Sequence, residues 1–134
     1  MFADMGEKTP GQKWLEMAEY DLSVADGLLK MGHFSYCVFM CHLGTEKALK
    51  GIFQEKAGLY PPKTHNLLYF VQKLDLDLPE GLLDLMGRLN DAHIVTRYPE
   101  ELSQINRIYN RKRAEEFLKG AREVLAWIKK NWPG

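Results

Sequence analysis

The sequence has little of several features that define large classes of proteins. It contains two cysteines among 134 residues, too few for a disulfide framework, and eighteen basic side chains balance eighteen acidic ones. A net charge of zero gives no argument for bulk binding of nucleic acid. No apolar run is long enough to cross a membrane, and the N-terminus lacks the pattern of a secretory signal. We therefore expect a soluble, cytoplasmic protein.

The two cysteines, Cys37 and Cys41, are four residues apart, so a helix would place them on one face. His33 and His42 lie nearby, and cysteine with histidine is a common set of metal ligands. However, on a helix His42 points about 100° away from Cys41, and the intervening residues are apolar. We therefore expect both thiols to pack in the core, and we expect neither a metal nor a cofactor.

Apolar residues recur at helical spacing through nearly the whole chain, and no segment alternates as a strand would. We predict one all-α domain over residues 1–134, an up-and-down bundle of about five helices around a central second helix, with residues 1–10 as a flexible N-terminus. The predicted helices are a segment after Pro10–Gly11 that ends near Gly32, Phe34 to about Lys56, Asn66–Leu74 with Thr64 as its cap, a segment opened by Pro79–Glu80 and ended by Pro99, and Arg111 to about Asn131.

The most specific motif in the chain is the segment 88–99, which reads RLNDAHIVTRYP. Arg88 stands five positions before His93, and the segment closes on an arginine, a tyrosine and a proline. Two other segments accompany it, EKALK at residues 46–50 and PPKTHNL at residues 61–67. Together these segments resemble the HEPN family (higher eukaryotes and prokaryotes nucleotide-binding). Its small helical domains include metal-independent RNases as well as inactive members that bind nucleotides or act as scaffolds.

The resemblance implies that Arg88 and His93 are a candidate catalytic pair. Histidine suits the proton transfers of metal-free RNA cleavage, and arginine suits the negative charge that develops on the phosphate. Their spacing, however, separates the two side chains by about 140° around a regular helix. In active family members the arginine and histidine of such a motif meet at a homodimer interface. We therefore expect a homodimer, with Met86, Leu89 and Ala92 on its surface between the two residues.

The same helix also offers a polar stripe that does not need the first arginine of the motif. Asn90, His93 and Arg97 recur at i, i+3 and i+7, so they would share one face if the helix continued to Arg97. Arg97 could then hold a phosphate, and Tyr98 could stack on a base. Asn90, Arg97 and Tyr98 are therefore candidate ligand contacts, whether or not Arg88 and His93 form a catalytic pair.

The segment EKALK adds Glu46, Lys47 and Lys50 to the candidate ligand-binding residues. Glu46 and Lys50 form an i, i+4 pair, which is either a solvated ion pair or, with His42, a face directed into a cleft against the fourth helix. In the second case Lys50 would help to hold the phosphate. His65 follows a rigid pair of prolines, and it either braces the third helix or contacts a ligand.

The function implied by the resemblance is the handling of RNA or a nucleotide. We expect the chain to be the partner of a minimal nucleotidyltransferase in a toxin–antitoxin type pair, with metal-independent endoribonuclease activity as the candidate reaction. The alternative is a non-catalytic helical module that binds a nucleotide or acts as a scaffold. A third interpretation is a purely structural helical adaptor.

Overall fold

Five helices account for most of the chain in the computed structural model, which describes residues 7–96 and 107–134. In chain order they are α1 (Pro10–Lys30), α2 (Phe34–Ala57), α3 (Leu67–Leu74), α4 (Glu80–Thr96) and α5 (Arg111–Lys130). No strand occurs within these two described ranges. The predicted all-α fold is therefore confirmed, and the helix boundaries agree closely with those expected from the sequence, apart from the predicted end of α4 at Pro99, which lies outside the described residues.

Side-chain caps explain where α1 begins. The Thr9 hydroxyl accepts a hydrogen bond from the Gln12 N–H at 3.1 Å, and the Gln12 side chain accepts one from the Thr9 N–H at 2.9 Å. Pro10 fits the first turn because it has no N–H to satisfy. The sequence predicts a flexible segment through Pro10, but Thr9 and Pro10 instead form the start of this helix.

Helix α3 begins at Leu67, one residue later than the predicted start at Asn66. Asn66, and not Thr64, is the cap: the Asn66 side-chain oxygen accepts from the Leu68 N–H at 3.1 Å. The Thr64 hydroxyl accepts from the Asn66 N–H at 3.1 Å, which closes a tight turn just before the helix. Hydrogen bonds from backbone N–H groups to the side chains of Thr64 and Asn66 therefore shape the segment between α2 and α3.

The second helix is the centre of the bundle, because α2 packs against each of the other four helices. Its Cys37 and Cys41 are fully buried free thiols, as the sequence predicts. Within the described residues, no helix is both long and apolar enough to span a lipid bilayer.

The apolar face of α4 is covered by the chain itself. Met86, Leu89 and Ala92 are all fully buried within the protomer. The prediction that they form a dimer surface is therefore wrong. An apolar stripe that faces a helix of the same chain has the same sequence pattern as one that faces a partner.

Helices α1 and α2 approach closely where two glycines face each other. A Cβ added to Gly51 would lie 2.8 Å from the Gly11 carbonyl oxygen and 3.0 Å from the Trp14 Cβ. A Cβ added to Gly11 would lie 2.7 Å from the Gly51 carbonyl oxygen. Because backbone atoms cannot move aside as the end of a flexible side chain can, this crossing requires glycine at both positions.

We expect Gly51→Ala to destabilise the fold by about 1–3 kcal/mol, because the added methyl group forces two helix backbones apart. The matched control is Gly87→Ala in α4, where an added Cβ meets no described heavy atom within 4 Å. Helix propensity alone should make that control more stable by up to about 1 kcal/mol. Denaturant unfolding followed by circular dichroism measures both, and a Gly51→Ala protein as stable as the control would contradict the close approach.

Candidate functional site

A buried carboxylate, Glu46, lies at the centre of a polar cluster between α2, the α2–α3 turn and α4. One oxygen, Oε2, forms an ion pair with Lys50 Nζ at 2.8 Å, and the other, Oε1, accepts a hydrogen bond from His65 Nδ1 at 2.9 Å. Burial raises the pKa of Glu46, but the hydrogen bonds from Lys50 and His65 outweigh it and hold the pKa below its usual range. Glu46 is therefore ionised at neutral pH.

His42 lies one turn before Glu46 on the same face of α2, and it is almost fully buried. Its Nε2 is 2.9 Å from the carbonyl oxygen of His65. Because a carbonyl only accepts, Nε2 of His42 carries the hydrogen. Burial, with the nearby charge of His93, lowers the pKa of His42 to about 4. His42 is therefore a neutral imidazole with a fixed tautomer at neutral pH.

Three histidine rings meet at this point. The ring centroid of His93 in α4 lies 4.1 Å from that of His42 and 5.1 Å from that of His65. Phe39 also stacks on His93, with 5.7 Å between centroids. Of the three histidines, His65 is the one that solvent reaches most readily, because its side chain is 57% exposed. The cluster thus has a buried interior and one exposed imidazole.

Asn90 connects α4 to the start of α3. Its side-chain oxygen accepts from the Leu67 N–H at 3.0 Å, and its amide donates to the Asn66 side-chain oxygen at 2.8 Å. Since Asn66 also caps α3, the turn that carries His65 is fastened to both neighbouring helices. This turn presents His65 in a defined position.

The structure brings together five of the residues that the sequence singles out. They are Glu46, Lys50, His65, Asn90 and His93. Lys47 is not among them, because its ammonium points toward α1 and pairs with Asp21 at 2.8 Å. Arg97 and Tyr98 lie outside the described residues, so their roles stay predictions.

Arg88 faces away from this cluster, as its spacing from His93 predicts. Its Nε is 3.3 Å from an oxygen of Asp84, and its guanidinium lies 5.5 Å from the centre of the Phe117 ring in α5. It lines a groove of about 430 Å³ together with residues of α5. Within one protomer, Arg88 and His93 therefore contact different helices.

Two members of the cluster are missing from the sequence-based set of ligand contacts. His42 has a local signal, since it lies four residues before Glu46 on one helical face. Asn66 has no comparable signal, because its importance comes from the contact with Asn90, 24 residues away in sequence. Only the packing of α4 beside α3 reveals it.

The cluster draws on the same three segments that carry the family resemblance, and a family model tests that resemblance directly. The model of the HEPN domain matches residues 12–132. The chain belongs to the HEPN family. The Glu46 cluster therefore lies within the HEPN domain of this chain.

Two solved structures share the fold of this chain over nearly their whole length, and a third relative is similar in sequence. The crystal structure of TT1696 from Thermus thermophilus has a TM-score of 0.78 and 31% identity, covering 92% of this chain and 98% of that one. ST0689, an archaeal HEPN homologue, has a TM-score of 0.76 and 22% identity, covering 94% and 100%. A protein of Methanocaldococcus jannaschii named "Putative toxin MJ1304" is 31% identical over 128 aligned positions, and the match covers 87% of this chain and 84% of that protein.

The depressed pKa of His42 should make the fold sensitive to mild acid. The ordinary pKa of 6.5 applies in the unfolded chain and about 4 in the folded one, so between these values the unfolded state binds the extra proton. Stability should therefore fall as the pH drops from 6.5 toward 4, by on the order of 3 kcal/mol in full. His42→Gln retains a donor for the His65 carbonyl but cannot titrate, so it should flatten this dependence.

Urea unfolding at intervals between pH 6.5 and 4.5 measures the effect while Glu46 is still ionised. The control is His33→Gln, which changes an exposed histidine at the start of α2. If His42→Gln and His33→Gln lose stability equally on acidification, His42 is not the group responsible.

Proposed function

We propose that this HEPN domain handles RNA or a nucleotide as the toxin-type member of a pair whose other member is a minimal nucleotidyltransferase. Membership of the family supports this, as does the likeness to a relative whose name describes a toxin. We propose a cytoplasmic location for the pair. The reaction that fits best is metal-independent cleavage of RNA.

The observation that carries the proposal is the concentration of imidazoles in the Glu46 cluster. Burying polar and charged groups costs free energy unless they are fully paired, and apolar packing would fill the same space more simply. Here three histidine rings, a carboxylate and an ammonium occupy one place in the bundle. Imidazoles transfer protons near neutral pH, which is what cleavage of RNA without a metal requires.

Arg88 and His93 enter this proposal as residues of a composite site. Because they contact different helices of one protomer, one phosphate would meet both most directly if a second protomer supplied one of them. The proposal therefore includes a homodimer in which Arg88 stabilises phosphate charge and His93 transfers a proton. Since Met86, Leu89 and Ala92 are buried, the exposed side of α4, which carries Asp84, Arg88 and Asp91, is the part available for such an interface.

Two contacts favour a non-catalytic binding or scaffold module as the second candidate. His93 is packed between His42 and Phe39, as a structural histidine would be. Lys50 is already paired with Glu46, and its side chain is only 13% exposed. In this alternative Lys50, Arg97 and Tyr98 bind a phosphate and a base, or pack structurally, and no bond is broken.

In the presence of EDTA, we expect the purified protein to cleave RNA and leave a 2′,3′-cyclic phosphate. Arg88→Ala should lower the rate about 10²- to 10³-fold by removing charge stabilisation. His93→Ala should lower it about 10²- to 10⁴-fold by removing a proton-transfer group. Both variants need a folding check, because His93 is also a packing residue.

The matched control for Arg88 is Arg122, which is equally exposed at 53% and pairs with a single carboxylate, Asp26. Arg122→Ala should cleave at the wild-type rate. If the wild type binds RNA without cleaving it, the non-catalytic candidate is correct. If Arg88→Ala and Arg122→Ala cleave RNA at the same rate, Arg88 has no catalytic role.

The composite site makes a separate prediction about mixtures of inactive variants. Arg88→Ala and His93→Ala protomers, mixed and allowed to exchange, should form hybrid dimers in which one of the two sites is intact. Random pairing should restore roughly a quarter of the wild-type activity. Light scattering should show a mass of twice the 15.5 kDa chain. A dimer whose mixtures stay inactive would place both residues in the same protomer's site, and a monomer would exclude the composite site altogether.

A further inference from the structure

Metal-free cleavage of RNA needs two proton transfers, one from the 2′-hydroxyl and one to the departing 5′-oxygen. His93 supplies one group for these steps. A second imidazole lies beside it, that of His65, whose ring centroid is 5.1 Å away. The His65 side chain is 57% exposed, whereas that of His42 is 1% exposed. His65 is therefore the histidine of the cluster that a substrate can reach most directly.

Glu46 determines which nitrogen of His65 is available. The carboxylate only accepts hydrogen bonds, so the 2.9 Å contact places the hydrogen of neutral His65 on Nδ1. The lone pair is then on Nε2. Lys50 holds the second carboxylate oxygen at 2.8 Å, which fixes the orientation of Glu46. A carboxylate that orients an imidazole in this way is the arrangement that prepares the general base in Ser-His-Asp hydrolases.

We propose that His65 is a second catalytic residue of this site, acting as general base through Nε2, with Glu46 as its positioning residue. The inference rests on the proposed RNA cleavage. His65 Nε2 takes the proton of the 2′-hydroxyl, and the O2′–P bond forms as the P–O5′ bond breaks. The 5′-oxygen takes a proton from His93. The products are a 2′,3′-cyclic phosphate and a 5′-hydroxyl, after which His65 releases one proton to solvent and His93 takes one up.

The turn around His65 is also held by hydrogen bonds that do not involve its ring. The His65 carbonyl accepts the hydrogen bond from His42, and the turn around it is held by Thr64, Asn66 and Asn90. Removing the imidazole leaves all these contacts in place. A substitution at His65 therefore tests the ring and retains the fold of the turn.

The test is RNA cleavage by His65→Ala with and without added imidazole. The rate should fall about 10²- to 10⁴-fold, and imidazole in solution should restore part of it, since the vacated position is open to solvent. The control is His33→Ala, in which the lost ring is exposed and makes no capping hydrogen bond at the start of α2. His33→Ala should keep the wild-type rate.

Glu46→Gln tests the positioning role. It should lower kcat and leave KM unchanged, and imidazole should not restore it because the His65 ring is still present. If Glu46→Gln does not fold because Lys50 is left unpaired, the double variant Glu46→Gln/Lys50→Gln removes that charge and is used in the same test.

The outcomes separate this inference from the proposed function. Loss of activity in His65→Ala with rescue by imidazole supports it. Two results overturn the role of His65 and leave the proposed RNA cleavage standing. In the first, the wild type and His65→Ala are equally active. In the second, the wild type is active, but His65→Ala is inactive and imidazole does not restore it. A wild type that does not cleave RNA overturns both proposals.

Discussion

The arrangement of this site depends on one buried carboxylate. Glu46 is ionised inside the bundle, and an ionised carboxylate there must be matched by a cation and by hydrogen-bond donors. Lys50 supplies the charge from the same helix, and His65 supplies a donor from the turn before α3. Through the His65 carbonyl the same turn is bonded to His42. A single charge on α2 therefore holds the segment between α2 and α3 against the bundle.

Such a pairing is an inefficient way to stabilise a fold. Replacing a buried ion pair with apolar side chains of similar volume is often neutral or stabilising, because the cost of removing two charges from water is avoided. What the ion pair does provide is orientation, because Glu46 sets the hydrogen of His65 on Nδ1, while the His65 carbonyl sets that of His42 on Nε2. This is the physical ground for our proposal that the imidazoles of the cluster serve a chemical role.

The sequence predicts the helices well and the site only in part. Helical periodicity, with punctuation such as Gly58 and Pro79, is local information, and so is the i, i+4 pairing of Glu46 with Lys50. Lys47, one residue along, points about 100° away from Glu46, but which helix it contacts there is decided by tertiary packing. The contact between Asn66 and Asn90 likewise depends on tertiary packing. Tertiary packing also decides whether an apolar stripe faces a helix of its own chain or a partner.

The most direct test of this account is the tautomeric state of the histidines, read from the ¹⁵N shifts and long-range ¹H–¹⁵N couplings of the imidazole rings near neutral pH. The account predicts that neutral His65 is protonated on Nδ1 and His42 on Nε2, and that Glu46→Gln loosens the first preference and not the second. A His65 ring protonated on Nε2, or one that averages between tautomers in the wild type, would contradict the claim that Glu46 orients it.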